Sequence, residues 1–210
     1  MAGGGTVLSD DSTLSRVDRQ FYRIERVLAL VSGLAVFAMM LLAVGSVSGR
    51  NFFDQPLPGY VDWIEQAMPL IAFMGISYVQ RDGGHIRMDL VVGNLKGRVL
   101  WLVEMITTLV VLGLMVLLVW GTWAHFQRSF DFGAPLWSRD SSMDIALPLW
   151  PAKLLAPVAF GVLCLRLVLQ IIGYGRAFLE NAEQPVAVPL VVDAATQAAE
   201  EARHVSDGNG

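Results

Sequence analysis

Residues 27–49 read VLALVSGLAVFAMMLLAVGSVSG, without one charged side chain. A helix crossing a hydrocarbon core of about 30 Å needs roughly 20 such residues, and in lipid its backbone groups must bond one another. A chain organised around such a run folds in a bilayer. Composition agrees: 54% of the 210 residues are hydrophobic, 16% are charged, and the mean hydropathy is +0.52, whereas soluble domains carry roughly 25% charged residues. Further apolar runs over 60–80, 99–124 and 145–174 predict an all-α integral membrane protein with four transmembrane helices.

The stretch YVQRDGGHIRMDLVVGNL, residues 78–95, is the expected hinge between the second and third spans. Gly83 and Gly84 reach positive φ without steric penalty and break the helix. Beyond them Ile86, Leu90, Val91 and Leu95 fall on one helical face opposite Arg87 and Asn94, which predicts a short amphipathic interface helix. Residues 15–26 place Arg16, Arg19, Arg23 and Arg26 at three- and four-residue steps. Either a surface helix or a charged end of the first span fits that spacing.

Arg50 closes the first span, and Pro56, Pro58 and Gly59 form a turn. Pro69 is expected to bend the second helix, and Pro148, Pro151 and Pro157 to make the outer half of the fourth irregular. Lys and Arg gather before the first span and, as Arg81, Arg87, Lys96 and Arg98, between the second and third. The other loops hold Arg50, Arg128 and Arg139. Positive residues stay cytoplasmic, so both termini are expected there. Residues 1–18 and 177–210 read as mobile tails around a membrane domain over 19–176, and no cleaved signal peptide is expected.

The lone Cys164 excludes an intrachain disulfide and a CxxC redox pair. His85, His125 and His204 fall in a hinge, a helix end and a tail, so no facing pair of haem ligands arises. A quinone-linked oxidoreductase is therefore disfavoured, and no catalytic, cofactor or metal residues and no nucleic-acid partner are expected. A charge within a membrane helix costs roughly 2.5 to 3.5 kcal/mol on insertion scales, so each needs a partner or a route to the interface. By helical rise, Glu65 and Lys153 lie about 8 and 12 Å inside the outer ends of their helices, and Glu104 and Arg166 about 8 and 12 Å from the inner ends. Two pairs are expected, Glu65 with Lys153 and Glu104 with Arg166. The alternatives are snorkelling of the two bases, and a proton or sodium relay through either glutamate. Transport paths gather polar groups or broken helices at midplane, and these helix middles are apolar.

Three stretches together carry a family likeness: WIEQAMPLIAFMGISYVQ with Glu65 near the start of the second helix, the hinge RDGGHIRMDLVV, and ALPLWPAKLLAPVAFGVLCLRL. The chain over about residues 19–176 resembles the small membrane subunit, DctQ type, of TRAP (tripartite ATP-independent periplasmic) transporters. The resemblance implies a bacterial inner-membrane location and two protein partners: a large elevator-type membrane subunit, and a periplasmic solute-binding protein that delivers an organic acid for sodium-coupled uptake. It implies a non-enzymatic scaffolding role. His85, Arg87 and Asp89 match the hinge motif, with Arg81 at its edge. Their implied work is to lock the cytoplasmic turn, through Asp89 on nearby amides or Arg87 on lipid phosphate or the large subunit; a pH-sensing His85 is the alternative. A stand-alone four-helix exporter is the competing function.

Overall fold

The structure is a computed structural model that describes residues 13–81 and 98–180. Its elements are helical: α1 (Thr13–Phe53), α2 (Tyr60–Phe73), α3 (Ile76–Arg81), α4 (Arg98–Ser129) and α5 (Trp150–Glu180), with one 3-10 turn at Pro135–Trp137. Among the described residues, three helices, α1, α4 and α5, are each long and apolar enough to cross a membrane. The hinge glycines, His85, Arg87, Asp89, Lys96, the interface helix over 86–95, and residues 1–12 and 181–210 of the expected tails lie outside the described residues.

The surface is inverted relative to a soluble protein. Leu30, Leu34, Phe37 and Leu41 on α1, and Leu109, Val110, Leu114 and Leu117 on α4, are exposed, whereas Asp18, Glu25, Asp62 and Arg166 are enclosed. Where the solvent is hydrocarbon, apolar side chains gain nothing by hiding, and polar ones must find protein partners. The α5 helix is the most enclosed of the three spans, with 39% of its most apolar window buried against 0% for α1.

Several boundaries differ from expectation. The first helix spans 41 residues, about 62 Å at helical rise, so residues 15–26 continue the span, and residues 13–18 of the expected tail are helical. The second helix runs unbroken through Pro69 and stops at Phe73, with a turn at Met74 and Gly75 before α3. The Ile71 carbonyl, which a continuous helix would offer to the Gly75 amide, instead accepts the Ser32 hydroxyl at 3.0 Å. A side chain inserted into the backbone ladder is a known cause of such a break. The last helix begins at Trp150 rather than near 145, because residues 142–148 fold into hydrogen bonds of their own.

The chain divides into two compact units. One comprises Met1–Gln20, Val79–Val111 and Arg166–Gly210. Its described core stacks Trp101 on Tyr174 at 6.2 Å, with Ala177 buried beside them and Leu100, Met105 and Phe178 packed around. The other comprises Phe21–Tyr78 and Leu112–Leu165. There Phe73 meets Phe160 at 5.1 Å, Tyr22 stacks on Tyr78 at 5.8 Å, and Met74, Phe126, Ala159 and Leu163 are buried.

Residues 130–149 of the second unit form a folded loop. Asp131 N–H donates to the Trp137 carbonyl at 3.1 Å, Arg139 N–H to the Ser129 carbonyl at 2.9 Å, and the Trp150 indole to the Leu136 carbonyl at 3.0 Å. Leu136 and Trp137 take positive φ of 53° and 58°. Such a conformation costs about 1 to 3 kcal/mol per residue and persists where the surroundings fix it, which these bonds do.

Candidate functional site

In the first unit, three helices remote in sequence meet at one carboxylate. Asp18 on α1 accepts from Arg81 on α3 at 2.8 Å and from the Arg166 guanidinium on α5. Arg166 is fully enclosed, and Asp18 nearly so. Beside them the Gln80 side-chain amide donates to Gln170 Oε1 at 2.9 Å, a second polar tie between α3 and α5. Glu104 on α4 is buried too, and its backbone carbonyl accepts the Thr108 hydroxyl at 2.7 Å. Charges in this setting are stable only when paired and fully hydrogen-bonded, so the cluster fixes the mutual register of α1, α3 and α5.

The second unit treats its buried acids differently. One oxygen of Asp62, in the first turn of α2, accepts the Ser142 hydroxyl at 2.6 Å and the amides of Ile145 at 2.8 Å and Asp144 at 3.1 Å. The Ser142 hydroxyl oxygen in turn accepts the Leu147 amide at 2.8 Å, and the Gln66 side-chain amide donates to the Pro148 carbonyl. Gly59, at φ 70°, lets the loop close down: a Cβ there would stand 2.6 Å from the Ile145 side chain. On α1, Glu25 accepts the Ser77 hydroxyl of α3.

A lateral groove of about 560 Å³ opens in this unit, walled by α2, α4 and α5. Pro69, Phe73, Leu117, Gly121, Ala152 and Ala156 make its surface largely apolar, and Glu65, His125 and Lys153 are the ionisable groups on it. Lys153 Nζ reaches Asp140 of the folded loop at 2.5 Å. That hydrogen bond and charge hold the Asp140 carboxyl below its ordinary value of 3.8. Asp131, bonded by the Gly133 amide and by Arg139 at 3.0 Å, is lowered likewise.

Of the residues singled out from sequence, Lys153 takes Asp140 rather than the expected Glu65, although both line the groove. Depth arithmetic fixes a residue's height on a helix but not its azimuth, and it ignores loops that fold back. Arg166 bonds Asp18, joined by Arg81. Asp18, Glu25, Asp62 and Asp140 carry structural roles that the sequence reading did not assign. A signal for part of this existed: Asp18, Glu25, Ser32 and Ser46 recur at multiples of seven, one stripe of a helix, and each is buried on α1, as is Ser15 beside Asp18.

The sequence pattern of a protein family described as tripartite ATP-independent periplasmic transporters, DctQ component, matches residues 39–175. No curated protein matches the chain.

Proposed function

The chain belongs to the DctQ component family of tripartite ATP-independent periplasmic transporters, and from that premise we propose that its work is to brace a large membrane subunit that moves the solute. In this reading a periplasmic binding protein delivers an organic acid, a sodium gradient drives its uptake, and this chain stays still. The chain crosses the inner membrane four times, α2 and α3 together making one crossing of up to about 33 Å over residues 60–81. Both termini are cytoplasmic, in keeping with Arg16, Arg19, Arg23 and Arg26 at the start of α1.

The observation that carries the reading is how the interior polar groups are used. Asp18, Arg81 and Arg166 tie three helices together, and Asp62 ties α2 to its loop. Groups committed to one another in this way stiffen a scaffold. Long apolar faces on α1 and α4 remain for a neighbour or for lipid.

The test is reconstitution. A thermal-shift panel of dicarboxylates, sialic acids, keto acids and sugar acids on the periplasmic binding protein identifies the solute. Uptake of that labelled solute is then measured in liposomes under a sodium gradient. Uptake is expected only when the binding protein, the large subunit and this chain are all present. Uptake by liposomes holding this chain alone overturns the proposal.

A further inference from the structure

We infer that the groove between α2, α4 and α5 receives a transmembrane helix of the large subunit, and that a Lys or Arg on that helix pairs with Glu65. The inference rests on the small-subunit reading and adds the contact face and the partner's chemistry. Glu65 is exposed on its helix, lines the groove, and among the described residues has no hydrogen-bond or ion-pair partner. Its expected base, Lys153, is already neutralised by Asp140. The groove therefore carries an uncompensated carboxylate on a largely apolar wall. A carboxylate in a membrane helix is expensive unless it meets a counter-charge, and an incoming guanidinium or ammonium supplies one.

The wall is also shaped for a helix. Gly121, Ala152 and Ala156 are small residues of the kind that let helix backbones approach closely in lipid. A Cβ placed at Gly121 would meet nothing within 4 Å, so the space beside α4 is open. Phe73 and Pro69 add apolar contact at the level of α2. His125 and Thr122 lie on the same wall and provide polar rim contacts.

The test co-expresses the chain with the large membrane subunit and purifies through a tag on the latter. Glu65→Lys is expected to lower the co-purified small subunit at least tenfold, and Glu65→Gln by a smaller factor. Gly121→Leu fills the groove and lowers co-purification while leaving the isolated chain's melting temperature unchanged or higher, since leucine favours the helix. In a Cys164→Ala background, Ala156→Cys is expected to cross-link to a helix of the large subunit. Wild-type co-purification with Glu65→Lys and Gly121→Leu retained at the same ratio overturns the groove assignment alone. Phospholipid carried by the wild type in native mass spectrometry and lost in Glu65→Gln, with no Ala156→Cys cross-link, assigns the groove to lipid and also overturns it. Failure of the wild type itself to co-purify overturns the small-subunit reading and the docking face with it.

Discussion

Asp18 and Asp62 are both almost fully enclosed carboxylates near helix starts, yet Asp18 is met by two guanidinium groups and Asp62 by a hydroxyl and two backbone amides. The first arrangement depends on charge, because removing the anion leaves two cations that shared it in a poorly solvated place. The second depends on an acceptor atom, since all three donors converge on one oxygen that a neutral amide also offers. Asp18 joins helices distant in sequence, whereas Asp62 shapes a loop.

The sharpest break of that contrast is Asp18→Asn. Loss of one partner from a buried ion cluster costs about 3 to 5 kcal/mol, so thermal unfolding in detergent should show a large fall in melting temperature, and Asp18→Asn should fare little better than Asp18→Ala. At Asp62 the two substitutions should separate. Asp62→Ala strands three donors and costs about 1 to 3 kcal/mol, with new protease cleavage within residues 140–149 and unchanged helix content. Asp62→Asn should keep the loop protected. Equal damage from the two Asp62 variants would erase the distinction.

The smallest effect is expected where a carboxylate is open to water. The lowered pKa of Asp140 means that its pair with Lys153 stabilises the fold above the ordinary value of 3.8 and that this contribution is lost as pH falls through the lowered value. In Lys153→Met the Asp140 titration, followed by infrared or carbon NMR, should move back up. The stability difference from wild type should be slight at neutral pH, because exposed pairs are screened, and should vanish in acid. A difference that grows in acid would contradict the pairing.

The apolar runs made the long helices legible, since length and the absence of charge suffice to specify a span. Arg166 and Lys153 were legible as charges needing partners. Asp140 and Asp18, which bond them, were not. Asp140 reaches Lys153 from a loop that turns at Leu136 and Trp137 with positive φ, which their side chains disfavour and composition does not announce. Asp18 sits among Arg16 and Arg19, where a surface role explains the arginines equally well. The helix break at Met74 and Gly75 depends on Ser32, whose hydroxyl reaches a backbone carbonyl 39 residues away. Pro69, expected to bend its helix, lies within the unbroken run Tyr60–Phe73.

The contact between Asp18 and Arg166 joins positions 148 residues apart. At ribosomal speeds of about 5 to 20 residues per second, roughly 7 to 30 s pass between synthesis of the acid and of its base. Through that interval the first helix leaves the ribosome with a carboxylate whose final partner does not yet exist. Arg81, 63 residues after Asp18, can meet it sooner, and the last helix to be made completes the cluster.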